Sequence, residues 1–471
     1  MRTTRFITNL RKLDARGLNR FSKFINSPYF LERKHLPVIY NGLKKFLPAC
    51  DISRRDLFKV SFPGRVYKDQ LMRKYISELN RMLDRYNAVS SFEGDVWMYS
   101  GKLASLMKRS GRYDELAKLS ESALIKLGTT KAKDEEFYRN KYIFESYHDL
   151  AMNYSMKQRA GLKGESAISG FMDYTAIMIL KFCSKYLNNS KIFRPNPDIE
   201  ALVKIVNNYY EAGKINNPAS LAYYYSIRLQ LNHEEKEYYF LLKKLLVKNE
   251  KSLSAEDMMG MYVFLHNYCY ERVDRGEMLF VKERYEVMLQ FLLKGYCFSN
   301  DLMKPEFFSS MILIALTFHK VKQASEFFEM YKERLPSKNR ESLLNFCMSN
   351  ILLYKKKYEE ALSLLGKIKF NDYFDNIRTR TLYIMIFFEN GNHRTLGYQA
   401  DSFRHFLNNH KKISLFVKER TLNFLKQVLQ LVKYKEGKAK NFCIKGFEKS
   451  SVMNRPWLLQ KIEEAKITKN I

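Results

Sequence analysis

The side chains able to do chemistry are arranged in few of the patterns that chemistry requires. Glu145-Ser146-Tyr147-His148 sets a carboxylate and an imidazole three residues apart, the spacing that puts two metal ligands on one helix face. A di-iron bundle needs that motif twice, with two further carboxylates, so this pair reads as structural. His405 and His410 are five residues apart and point to different sides of a helix. Cys50, Cys183, Cys269, Cys297, Cys347 and Cys443 form no Cys-x-x-Cys pair and mostly sit inside apolar patterns, as buried thiols of a reducing compartment do. There is no glycine-rich phosphate loop, no His-Glu-x-x-His and no Gly-x-Ser-x-Gly. The expectation is a protein that is not an enzyme, with no cofactor, metal or small-molecule substrate.

The stronger signal is electrostatic. Lys74, Arg81 and Arg85 recur at i, i+7 and i+11, and so line one face of a helix, opposite much of its apolar face. Arg54-Arg55, Arg11-Lys12 and Lys44-Lys45 add to the charge. The first 90 residues hold 20 Lys and Arg against 7 Asp and Glu, which is +13 of the chain's +31. That is roughly three times the charge density of the remainder. Arg54, Arg55, Lys74, Arg81 and Arg85 are therefore the candidate surface for a polyanion or an acidic protein, since phosphates attract such side chains without reading sequence. The bland alternative is a solvated face, with Glu78 neutralising Lys74 and Arg81 at helical spacing. Tyr209-Tyr210, Tyr223-Tyr224-Tyr225 and Tyr238-Tyr239 read mainly as core. Any exposed members, interleaved with Lys204, Lys214 and Arg228, would make a second binding patch.

The elements that position these residues are helices. Leu18, Phe21, Phe24 and Ile25 repeat at helical spacing before Pro28. Leu36, Ile39, Tyr40 and Leu43 form a second helix stopped by Pro48. Ser53-Arg54-Arg55-Asp56 is a capping box, and Leu71, Tyr75, Leu79, Met82 and Tyr86 mark a long fourth helix. Gln158 to Gly170 reads as an exposed loop, and Asn188 to Pro197 as a linker. Ser254-Ala255-Glu256-Asp257 is a second capping box, Pro305 starts a helix, and Ser414 opens a long one. With 19 Gly and 10 Pro in 471 residues, and 46 % hydrophobic side chains, long helices and a large buried core are expected. The longest apolar runs, Met311 to Phe318 and Tyr383 to Phe388, are too short to span a bilayer. Met1 to Leu13 lacks the apolar core of a signal peptide. A soluble, cytoplasmic protein is expected.

One pattern recurs. Tyr358-Glu359-Glu360-Ala361, followed by Leu364-Leu365, has an equivalent at Lys322-Gln323-Ala324-Ser325-Glu326-Phe327-Phe328 and another around Asn390-Gly391-Asn392-His393. Ala324 and Ala361 are 37 residues apart, and Leu396 follows Ala361 by 35. Periods of this size mark stacked helix pairs. The stretch resembles a tetratricopeptide repeat, with Ala324 and Ala361 at the small position of the second helix. Phe328 and Leu365 stand at its large apolar position, Tyr358 at its start, and Pro336 where the family ends a repeat. The family's Trp and Leu-Gly pair are missing from all three copies. Arg20 to Phe30 also resembles the opening of a bacterial family of basic helical-repeat proteins for which no activity is established. The resemblance implies an all-α solenoid of antiparallel helix pairs, of the kind that binds other proteins.

The expected organisation is a basic helical unit at 1–90, helical pairs at 96–187, tetratricopeptide-like repeats at 198–434 and a basic tail at 435–471. The expected function is a scaffold for protein–protein interaction. The alternative is a nucleic-acid- or ribosome-associated factor using the basic unit.

Overall fold

The computed structural model describes residues 4–30, 33–47, 50–154, 165–190, 199–213, 215–232, 234–369, 372–439 and 450–469. Apart from a two-stranded ribbon, its regular elements are helices, so the chain is all-α. Among the described residues no helix is long and apolar enough to cross a membrane. The chain divides into two compact units, Met1–Lys126 with Ile143–Lys163, and Leu127–Tyr142 with Gly164–Ile471.

The first unit holds α1 (Arg5–Leu10), α2 (Ala15–Asn26), α3 (His35–Lys44), α4 (Arg54–Ser61), α5 (Asp69–Gly94), α6 (Val96–Arg109) and most of α7 (Tyr113–Gly128). The second half of α8 (Glu135–Tyr154) also belongs to it. Asp14 caps α2 by accepting from the Gly17 N–H at 2.6 Å. At the start of α4 the Asp56 N–H donates to Ser53 Oγ, while the Ser53 hydroxyl donates to the Asp56 carboxylate at 2.5 Å. Phe21, Ile39, Tyr40, Leu43, Leu79 and Leu83 are fully buried together, with the Phe21 and Tyr40 rings edge-on at 4.9 Å. Gly42 lets α3 meet α4: a Cβ there would lie 2.7 Å from Ser61 Oγ.

The second unit begins with α9 (Glu165–Ser190), α10 (Ile199–Glu211), α11 (Pro218–Leu231), α12 (Glu237–Lys248), α13 (Ala255–Asp274) and α14 (Leu279–Leu293). A ribbon of β1 (Phe298–Ser299) and β2 (Leu302–Met303) follows, paired antiparallel through Asn300 and Asp301, both at positive φ. Then come α15 (Pro305–Thr317), α16 (Val321–Tyr331), α17 (Arg340–Tyr354), α18 (Tyr358–Leu365), α19 (Tyr373–Glu389), α20 (His393–Asn409), α21 (Leu415–Lys435) and α22 (Arg455–Lys469). Chain neighbours pack on one another in α13–α14, α15–α16, α17–α18 and α19–α20, and α17 also lies against α15 and α19.

One turn recurs in the chain. After α15 the Lys320 N–H donates to the Ala315 carbonyl and the His319 N–H to that of Leu316. After α17 the Lys357 N–H reaches Leu352 and the Lys356 N–H reaches Leu353. These are Schellman caps, in which one left-handed residue satisfies the last carbonyls of a helix. His319 (φ 55°) and Lys356 (φ 59°) take that conformation without being glycine, 37 residues apart, and Gly391 (φ 73°) takes it after α19, 35 residues on.

Several expectations change. α9 starts at Glu165, so residues 165–170 of the expected loop are helical and Gly170 is buried; residues 158–164 lie outside the described set. Asn188, Asn189 and Ser190 close α9 rather than opening a linker, and Pro48, Pro195 and Pro197 are likewise outside the described set. α5 runs past residue 90 to Gly94, and Asp95 at once caps α6. In the expected tail, Val452, Met453, Trp457 and Leu458 are buried in the core of the second unit. Leu458, Ile462 and Ala465 do fall at helical spacing, but the run is short and follows the lysine-rich stretch 433–449.

Candidate functional site

The basic surface takes shape on α5. Lys74, Arg81 and Arg85 are exposed, spread over about 16 Å of helix axis. Glu78, expected to neutralise Lys74 and Arg81, does so only in part. It is 4 % exposed, accepts from Arg33 at 2.5 Å and pairs with His35 at 2.8 Å, and it meets Arg81 only at 4.0 Å. The Arg85 guanidinium lies over the Phe30 ring at 5.1 Å. Arg54 belongs to a different cluster: it faces Asp69 at 3.5 Å, which also binds Arg73 at 2.6 Å. The Tyr67 hydroxyl, followed by Arg73 and Arg54, holds the Asp69 carboxyl below the usual carboxylate range. Arg55 is exposed beside it. The five candidates thus form two groups, Lys74–Arg81–Arg85 and Arg54–Arg55.

The repeat residues lie in the second unit. Ala324 and Ala361 are fully buried, Phe328 and Leu365 nearly so, and Tyr358 is half-buried. The Ser349 hydroxyl of α17 donates to the Asn345 carbonyl at 2.7 Å and lies 3.1 Å from the Ala361 carbonyl of α18, so the two helices approach closely there.

Most members of the tyrosine runs pack inward, while Tyr210 keeps an exposed edge. Tyr210 stacks on Tyr224 at 4.2 Å, and Tyr225 and Tyr238 close the group. Arg228 is committed to Glu235 at 2.7 Å, and Lys214 lies outside the described residues. Tyr210 and Lys204 are exposed there. The Tyr223 hydroxyl donates to Asp257 at 2.6 Å, and Lys181 pairs with the same oxygen at 3.1 Å. The capping-box carboxylate of α13 therefore also ties α9 and α11 to it.

Glu145 and His148 lie on α8, and no group of three or more metal-ligating side chains forms among the described residues. A second Glu-x-x-His, Glu32 to His35, also stands in the sequence. His35 bonds to Glu78, and Glu32 is outside the described residues. His405 and His410 are exposed. Cys50, Cys183, Cys269, Cys297 and Cys347 are buried free thiols, and burial pushes Cys269 and Cys347 up to about 12. Cys443 lies outside the described residues.

The feature the sequence reading lacks is a cavity of about 940 Å³ within the second unit. α13 lends it His266 and Tyr270, α14 Arg284, α17 Phe346 and Tyr354, α19 Arg378, α21 Arg420, and the start of α22 Trp457. The Tyr270 ring has Arg284 over it at 4.7 Å and Arg420 at 5.1 Å. Arg420 pairs with buried Asp274 at 2.6 Å. The Arg284 Nε–H donates to His266 Nδ1 at 3.4 Å, which leaves the imidazole proton on Nε2. Burial, then the charges of Arg284 and Arg378, drive the His266 pKa well below its usual value, so the ring is neutral. Burial lowers the pKa of Arg284 too, with Arg378 adding to the effect. Glu306, Asp372 and Asp375 also line the cavity, near the N-terminal ends of α15 and α19, with Lys338 and Arg340.

Asp274 is also the anchor of the C-terminal segment. Its carbonyl accepts from the Val452 N–H at 2.9 Å and from Arg455 Nε at 3.0 Å. The Trp457 indole donates to Glu389 at 3.0 Å.

Comparison with protein-family models, with curated proteins and with solved structures gives no match.

Proposed function

We propose that this chain is a non-enzymatic helical-repeat scaffold, tetratricopeptide-like, that holds a protein partner in the cytoplasm. In this reading α15–α16, α17–α18 and α19–α20 are antiparallel pairs of one solenoid. The observation that carries the reading is the matched placement of buried Ala324 and Ala361, each behind a Schellman turn and 37 residues apart. A small residue at the same point of successive pairs is what lets like units stack, and stacked units present the extended surfaces that such proteins use for binding. An acidic partner suits the exposed Lys74, Arg81 and Arg85.

A second reading, a nucleic-acid- or ribosome-associated factor, draws on one observation: Glu78 is held most closely by Arg33 and His35 and meets Arg81 only at 4.0 Å, which weakens its hold on the stripe. Affinity purification of the full chain from its native cell, with and without nuclease, separates the two. Protein partners that survive digestion are expected. Partners lost together with RNA or DNA would replace the scaffold with the second reading.

A further inference from the structure

We infer that the cavity of the second unit is a binding site for an oxyanion, carboxylate or phosphate, carried on an apolar body. Arg284 is 8 % exposed and lines the cavity. A guanidinium has five N–H donors and keeps its charge at neutral pH. Among the described residues Arg284 spends one donor, on His266, and has no carboxylate partner within ion-pair distance. A buried charge in that condition is costly unless something else completes it.

The neighbours make the same point. Asp274 makes its ion pair with Arg420 and favours the Arg284 charge only at longer range, and Glu271 binds Arg275 at 2.9 Å. Arg378, on the cavity wall, has its guanidinium over the Phe346 ring at 5.7 Å. The lining as a whole carries six Lys and Arg, namely Lys304, Lys338, Arg284, Arg340, Arg378 and Arg420, against the four carboxylates Glu271, Glu306, Asp372 and Asp375. A planar, fork-shaped donor is the group best suited to a carboxylate or a phosphate. The remaining wall, with Phe291, Phe346, Tyr354, Leu382 and Trp457, is apolar and would take the rest of the molecule. At about 940 Å³ the space is at the upper end of the range for small-molecule sites. The inference is independent of the scaffold reading: a scaffold with an empty cavity and an anion-binding protein with no partner are both coherent.

The test is calorimetric titration of the full chain with 2-naphthoate, 2-naphthyl phosphate and neutral 2-naphthylmethanol. At least one anion is expected to bind at one site, about tenfold or more tighter than the alcohol. A preference for the naphthoate assigns a carboxylate, and a preference for the phosphate assigns a phosphate monoester. Arg284→Met should weaken the favoured anion by about ten- to a hundredfold and leave the alcohol unchanged. If circular dichroism shows that this variant is unfolded, Arg378→Gln takes its place, with the same weakening expected. Equal binding of anion and alcohol, no binding by either anion, or undiminished anion binding by a folded variant overturns the inference.

Discussion

Asp274 holds three parts of the second unit in register. Its carboxylate meets Arg420, and its carbonyl takes the Val452 N–H and Arg455 Nε. Burial pushes the carboxyl up to about 6, with Arg420 pulling it down, so it is mostly ionised at neutral pH. Removing one partner of a buried pair strands the other charge. Asp274→Ala is thus expected to cost about 3–5 kcal/mol, read as a fall in the melting temperature. Faster amide exchange over residues 452–458 should accompany it. His266 provides a pH test. Its folded pKa is depressed, so the unfolded chain takes up a proton that the folded one refuses. Stability is then intact above about pH 6.5 and falls as pH drops below that, by up to ~1.4 kcal/mol per pH unit. His266→Gln should be less sensitive than the parent between pH 7 and 5 in paired melting curves. Equal slopes would mean that the ring is not neutral in the fold.

Elements show how far sequence reaches. Ala361 is fully buried where α17 and α18 meet, and Ala361→Trp should overpack that contact by about 1–3 kcal/mol or more. An unchanged melting curve would mean that the repeat register is misplaced. Helix identity was legible from apolar spacing, as were the capping residues Ser53, Ser254 and Ser414, because both signals are local. The left-handed turns at His319 and Lys356 were not, since neither residue type announces positive φ. Burial of the segment around Trp457 was hidden because its partners, Asp274, Arg420 and Glu389, are distant in the chain. The same holds for the cavity, where Arg284, Arg378 and Arg420 come from three helices that no motif connects. Glu78 was legible in part: helical spacing found its pair with Arg81, while its closer contacts, Arg33 and His35, are tertiary.

At the scale of the molecule the governing quantity is charge. A chain at +31 either repels itself or meets acidic surfaces, and the first 90 residues are the densest part of that charge. In the scaffold reading Lys74, Arg81 and Arg85 are the side chains that an acidic protein meets first. Rim charges of this kind govern association rate and salt dependence more than they govern folding. Reversing all three to Glu should leave the helical circular dichroism unchanged, because all three are exposed on α5. The most direct measurement is the amount of protein partner retained by the immobilised full chain after nuclease treatment, for the parent and for Lys74→Glu/Arg81→Glu/Arg85→Glu, across a salt titration. The scaffold account predicts partners that resist nuclease, fall off as salt rises and are largely lost by the triple variant. Retention that nuclease abolishes, or that the folded triple variant matches at every salt concentration, would contradict it.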